Sequence, residues 1–354
     1  VECRVIPIAQ HKEGVLEKAN ELLDELKKAG YSVTGITFIM TDAMSESCGS
    51  GSAAAEAARA AAEIGIPHIS LDVREKFRKN VIDDFINVYS SGGTPNPCVV
   101  CNRTMKFPEM ISYADAHGFD FIATGHYAAI KHGDDGYHLC AAHDTAKDQT
   151  YFLYTLGQST LSRLIFPLAG LTKSDVRRIA AENGSSAASK HDSQDICFIP
   201  DGDYKTFIAS IVHELPPAGD FTDAGGNVLG RHAGILNYTP GQRKGLGISA
   251  GKPLYVGRID AATNRIILCE EAELYRNEIT VRNVTFISGK PPRIPFHATV
   301  KTRYTRKCSA ATVVPTDSPD IYRVEFEKPE RAPAPGQSAV FYSEAELLGG
   351  GIIV

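Results

Sequence analysis

Three cysteines have the types and spacing for covalent sulfur chemistry: Cys98 and Cys101 in GTPNPCVVCN, and Cys197 in HDSQDICFI. Two residues between thiols bring both sulfurs within reach of one metal, one disulfide or one persulfide relay. A structural zinc site usually needs four ligands, and no second close pair occurs, so the CVVC pair by itself decides nothing. Cys197, flanked by Ile196 and Phe198, reads when taken alone as a buried small hydrophobe. Eight cysteines in 354 residues are too sparse for a disulfide scaffold. In a reducing compartment a close pair is then catalytic or metal-binding rather than structural.

The elements that must position these thiols follow from periodicity. RVIPIA, YSVTGITFIM, IPHISLDV and FDFIATG read as strands. Between them lie helical patterns: Leu16, Ala19, Leu22, Leu23, Leu26 and Ala29, then SAAAEAARAAAEIG, KFRKNVIDDFINVY and KFPEMISYADAHG. This alternation implies an α/β unit with a parallel sheet whose ligands bind beyond the carboxyl ends of the strands. GTPNPC is expected as a loop near that edge, with CVVC in a loop between two helices. From about Leu215 the chain turns glycine-rich, and YVGRIDAATNRIIL, ITVRNVTFI, FHATVKTRYT, AATVVP, YRVEFEKP and SAVFYS read as successive short strands of a small β-barrel. The expected division is 1–213, 214–275 and 276–354.

Composition narrows the function classes. With 43% hydrophobic and 22% charged residues and a formal net charge of -5, the chain is globular and not a globally basic nucleic-acid binder. Any polyanion must meet local basic patches, and Ile279 to Ala310 holds seven lysines and arginines and no acidic residue. No apolar run is long enough to cross a bilayer and the N-terminus shows no signal pattern, so a cytoplasmic protein without membrane contact is expected.

Six segments in series, TPNPCVVCNRTMKF, ATGHYA, KDQTYFLY, DSQDICFI, GDFTDAGGNVLGRHAGILNYTPGQRKGLGI and PGQSAVFYSEAELLGGGII, closely resemble the bacterial tRNA-specific 2-thiouridylase family. The resemblance implies an adenine-nucleotide alpha-hydrolase-like, PP-loop-type domain, a small linking domain and a C-terminal β-barrel that contacts tRNA. It implies replacement of the C2 oxygen of uridine 34 in the anticodon by sulfur. ATP, with magnesium, activates the oxygen, and sulfur comes from a persulfide donor such as a cysteine desulfurase or a sulfur-relay protein. Residue by residue, it makes Cys101 the nucleophile and Cys197 the persulfide carrier. Asn96, Pro97 and Cys98 become a base-contacting strip. His126, Lys147, Asp148, Gln149, Arg303, Tyr304 and Gln337 become tRNA contacts, and Gly125 and Phe38 stand on the nucleotide side. A rival use of the same atoms is an iron-sulfur cluster on Cys98, Cys101 and Cys197.

The first strand departs from the family. Where members carry a Ser-Gly-Gly-Val-Asp-Ser phosphate loop, this chain reads IAQHKEGVLEKAN. His11 and Lys12 could meet a phosphate near a helix start, while Glu13 would oppose it. Phe38 stands where the family has an adenine-side methionine. A tRNA-binding or sulfur-carrying relative that no longer adenylates is therefore the alternative expectation. VIPIAQHKEGVLEKANELLDELKKAGYSV is also similar to the first strand and helix of the class II aminoacyl-tRNA synthetase anticodon-binding domain.

Overall fold

A computed structural model describes residues 4–9, 26, 30–42, 53–63, 65–182, 196–199, 202–212 and 214–354. In chain order the strands of the first half are β1 (Arg4–Ala9), β2 (Ser32–Val33), β3 (Gly35–Ile39), β4 (His68–Asp72), β5 (Phe121–Thr124), β6 (Ala129–Gly133), β7 (Gly136–Cys140) and β8 (Leu164–Ile165). A parallel sheet runs β4-β3-β1-β5-β8, with β2 beside β1. The apolar residues Ile36, Phe38, Met40 and Ile122 are buried in one core with Phe77, Phe85 and Phe107 from the covering helices, which accounts for the near-continuous hydrophobic strands. Strand order reverses between β1 and β5, and open parallel sheets take their ligands beyond the strand ends at such a point, here past Ala9 and Thr124. The HKEG segment and most of the expected first helix lie outside the described residues; Leu26, from that helix, is buried against Val33, Ala61 and Ile66.

Two helical runs contain a wide, π-type turn. Arg74–Phe77 continues through Arg78–Ile82 into Asp83–Ser90, and Pro97–Cys101 continues through Asn102–Lys106 into Phe107–His117. The expectation of a loop over CVVC is thus corrected, because the cysteines occupy the first helical turn. Pro97 is the first helical residue, where a missing N–H costs nothing and its fixed φ favours the helix; Asn96, at φ -123°, stands outside. Only Gly93 to Asn96 remain a loop. Gly118, at φ 70°, ends the second run.

The second half begins with β9 (Gly219–Thr222), β10 (Val228–His232), β11 (Tyr255–Asp260) and β12 (Arg265–Cys269), a small sheet ordered β10-β9-β12-β11. Then β13 (Tyr275–Phe286), β14 (Phe296–Lys301), β15 (Ser309–Pro315), β16 (Tyr322–Arg331), β17 (Ser338–Ser343) and β18 (Glu346–Ile353) form a barrel, closed by β18 pairing back onto β13. Alternation along β14 fills its interior with Phe296, Ala298 and Val300.

The hairpin β6–β7 extends the barrel sheet through β7, Cys140 lying opposite Glu346. His138 clasps this junction, its Nδ1 2.7 Å from Glu346 Oε1 and its Nε2 2.8 Å from Asp135 Oδ1. The Glu346 bond first, and the Asp135 bond second, raise the imidazole above its ordinary value. A raised folded value means that the clasp stabilises fully below the unfolded pKa of about 6.5 and is lost as pH rises through the folded value. Thermal melts of His138→Gln should therefore show a shallower fall in Tm than the parent between pH 6 and 8. Parallel pH profiles would refute the clasp.

Candidate functional site

Helix geometry puts Cys101 inside and Cys98 at the edge. Cys101 is only 7% exposed, in the core that contains Met105 and Phe107, while Cys98 is half-buried; neither is joined in a disulfide. Burial pushes the Cys101 thiol up to about 11, while the Lys106 charge and the Lys106 backbone N–H pull in the opposite direction. Five residues along an α-helix would set Lys106 about 140° round the axis from Cys101. The wide turn at Asn102–Lys106 reduces that offset and brings both onto one buried face. Site-resolved alkylation at pH 8 should therefore be slow at Cys101, with a thiolate fraction of about 10⁻³, and accelerate steeply toward pH 11. Fast alkylation of Cys101 at pH 7 would contradict this environment.

Cys197 owes its placement to its neighbour. Phe198 meets the rings of Phe77 at 5.5 Å, Phe85 at 5.4 Å and Phe207 at 5.3 Å, and Ile199 is buried beside it. Burial belongs to Phe198 and Ile199, whereas Cys197 is only half-buried against the same core. The reading of Cys197 as a wholly buried hydrophobe is corrected accordingly. Among the described residues no three His, Cys, Asp or Glu side chains stand where they could hold a metal ion.

The barrel delivers its residues to the Cys98 strip through the turn before β17. Gln337 Nε2 donates to Thr94 O at 3.1 Å and Pro95 O at 2.8 Å, and the Thr94 N–H donates to Pro335 O at 2.7 Å. Asn96 Nδ2 reaches Ser338 Oγ at 3.4 Å. The backbones approach so closely at Gly336 that a Cβ there would lie 2.9 Å from Thr94 O, and its φ of +89° also demands glycine. Tyr304 stacks obliquely on Phe152 at 4.5 Å, under the Lys301 ammonium at 5.2 Å, close enough to feel charge on both Cys98 and Asp148. Burial raises the Asp148 carboxyl, against a 2.7 Å hydrogen bond from Thr150 Oγ1.

Of the motif residues, Gln337 touches the strip at Thr94 and Pro95, and Tyr304 lies within electrostatic reach of Cys98 and Asp148. Lys147, Asp148 and Gln149 precede a single 3-10 turn, Thr150–Phe152, rather than a longer helix. Gln149 locks the neighbouring strand end, its Oε1 accepting the Tyr127 N–H at 2.9 Å and its own N–H donating to Tyr127 O at 2.9 Å. His126 lies buried where β5 ends, Nδ1 2.8 Å from Thr124 Oγ1, after the half-buried Gly125. Arg303 turns inward, Nη2 donating to Pro240 O at 3.0 Å and Ala332 O at 3.2 Å, and so joins the middle sheet to the barrel. Phe38, 3% exposed, packs among core residues, which leaves its ring little face to offer a nucleotide. Sequence reasoning misses Lys106, Phe152, Lys301 and Glu330 as parts of this site; of the four, Glu330 carries no motif signal at all.

Family models match the chain almost end to end: a tRNA methyl transferase HUP domain over residues 20–201, a tRNA methyl transferase PRC-barrel domain over 205–270, and an aminomethyltransferase beta-barrel domain over 276–353. The chain is 44% identical over 335 residues to a protein of Chloroflexus aurantiacus named tRNA-specific 2-thiouridylase MnmA, covering 93% of each. A Clostridium botulinum protein, tRNA-specific 2-thiouridylase MnmA 2, is 43% identical, again covering 93% of both chains. One of Roseiflexus castenholzii with the MnmA name is 41% identical over 93% of this chain and 94% of its own length.

Proposed function

Because the chain belongs to the tRNA-specific 2-thiouridylase family, we propose that it is an ATP-dependent sulfurtransferase that places sulfur on C2 of uridine 34 in tRNA. The observation that carries this reading is the contact by which the barrel, through Gln337 and Ser338, grips the Thr94–Asn96 strip that leads into the helix of Cys98 and Cys101.

The chemistry needs a leaving group and a soft nucleophile. Attack of the uridine C2 oxygen on the α-phosphate of ATP expels pyrophosphate and leaves C2 bearing an adenylate, a far better leaving group than oxide. The terminal sulfur of a persulfide on Cys197, ionised near neutral pH, then adds to C2 and AMP departs. The base is now joined to Cys197 through a disulfide. The Cys101 thiolate attacks the Cys197 sulfur, the electron pair of that bond leaves with the base as 2-thiouridine, and a Cys101–Cys197 disulfide remains for a thiol reductant to reopen. Cys101 acts last, which suits a buried thiol that must stay protonated until the base is seated, with Lys106 favouring its ionisation in place.

Gly125, just past the end of β5 at the switch point between β1 and β5, takes the nucleotide side, and His126 the tRNA side. ATP is taken with magnesium, and the persulfide donor is a cysteine desulfurase or a relay protein. Among the described residues no helix is long and apolar enough to cross a membrane, and we assign the protein to the cytoplasm with its tRNA substrate. The functional division is 1–213 for catalysis, 214–275 for linkage and 276–354 for RNA contact, Arg303 and Gln337 acting on RNA through the loops they brace. The test is sulfur incorporation into unmodified tRNA by purified protein with ATP and a persulfide donor, located by nucleoside mass spectrometry. Thiolation at any other nucleoside would overturn the assignment.

A further inference from the structure

Between β14 and β15 the chain reads TRYTRKC, Thr302 to Cys308, directly after Lys301. Lys301, Arg303, Arg306 and Lys307 crowd four positive charges into this turn, and like charges so close repel one another. Asp148 attracts Lys301, and a second, buried carboxylate opposes the rest of the turn. Glu330, near the end of β16 and 7% exposed, accepts from Thr302 Oγ1 at 2.8 Å, from Arg306 Nη1 at 3.1 Å and from Ser309 Oγ at 2.6 Å. It therefore holds the start, middle and end of one loop at once. Arg306 also donates to the Arg331 carbonyl and Arg303 to the Ala332 carbonyl, so the whole turn is laced along the end of β16. Tyr304, between the laced residues, is left with its ring on Phe152 and under Lys301, within electrostatic reach of Cys98.

We propose that Glu330 is a positioning residue for base recognition: its carboxylate fixes the cationic loop so that the Tyr304–Phe152 pair presents a stacking face to the uridine ring at the Cys98 strip. An anticodon base drawn out of its loop is held by stacking on aromatic rings and by cations near its phosphates, and both come here from one turn. Removing the carboxylate leaves the half-buried Arg306 without its counter-charge and the buried Thr302 hydroxyl without an acceptor, and the loop has then no single partner to close on. The inference rests on the tRNA reading above and adds to it the group that organises the contact.

The test uses the full-length protein and a tRNA carrying a fluorescent pyrimidine analogue at position 34, whose emission is quenched on stacking. The wild type should quench it. Tyr304→Ala and Glu330→Ala should each abolish the quench and lower kcat/KM for tRNA by about ten- to a hundredfold, and the double variant should be no worse than the poorer single one, because both remove the same contact. Glu330→Gln keeps the shape and, with its carbonyl oxygen in the Oε1 place, the acceptor for Thr302 and Arg306, while its amide NH2 can donate to Ser309 Oγ; it serves if the alanine variant does not fold, and should restore most of the quench. Full quenching by both Glu330 variants, or losses that multiply in the double variant, would overturn the proposal. A wild type that binds no tRNA overturns the tRNA reading itself, and this inference with it.

Discussion

Cys197→Ser should reduce sulfur incorporation at least about 10³-fold while leaving tRNA affinity within about twofold of the parent, since a lost covalent carrier removes the reaction path and little binding. Serine forms no persulfide, so no terminal sulfur reaches C2. The half-buried side chain is held by its neighbours, and the Phe198 contacts with Phe77, Phe85 and Phe207 survive the change. Stability should accordingly be nearly unaltered. Thiolation assays, tRNA binding and melts on the same preparation decide it. Loss of folding in this variant would make Cys197 a packing residue and remove it from the mechanism.

Gly351→Val should cost about 3 kcal/mol of stability, at the upper end of what overpacking usually costs. A Cβ at Gly351 would stand 2.7 Å from Arg282 O, 2.7 Å from Val281 Cγ1 and 2.8 Å from Val284 Cγ2, and one of these is backbone. The position lies on the seam where β18 returns to β13 and closes the barrel. Gln337 and Ser338, which hold the Thr94–Asn96 strip, sit opposite the end of that strand, Ser338 pairing with Ile352. Thiolation should therefore fall along with stability. Gly157→Ala is the control, with nothing within 4 Å of its Cβ and a φ of -103°, and should be neutral within about 0.5 kcal/mol. Equal denaturation midpoints for the two variants would show that barrel closure does not depend on the glycine seam.

Strands and helices with a clear period are legible in the chain itself: the parallel sheet, the helix over Ala53–Glu63 and the barrel strands β13 to β17 follow the pattern of their side chains. β18 is harder to read, because three consecutive glycines interrupt its alternation. The π-type turn after Cys101 is not legible, because tertiary packing selects a turn with one extra residue. The hairpin β6–β7 escapes a reading by period although the Asp135-Gly136 turn signals it; its strands matter only through a partner, Glu346, about two hundred residues away. The three cysteines can be named from their motifs. What sequence does not disclose is the division of labour among the polar residues. Arg303 and Gln337 resemble RNA contacts in the chain, yet Arg303 Nη2 and Gln337 Nε2 each donate to two backbone carbonyls, and Glu330 stands in no motif because its partners lie 21 to 28 residues earlier in the chain.

Activation of uridine 34 by ATP must proceed in this chain with HKEG where the family carries a serine- and glycine-rich phosphate loop. Its most direct test is the release of AMP and pyrophosphate by purified protein with unmodified tRNA and a persulfide donor, with sulfur in the tRNA measured in parallel. One AMP and one pyrophosphate should appear for each uridine 34 thiolated, and none should be released when tRNA is omitted. Binding of tRNA without nucleotide cleavage would contradict it, and would identify a relative that kept the thiols and the RNA surface but lost the activation step.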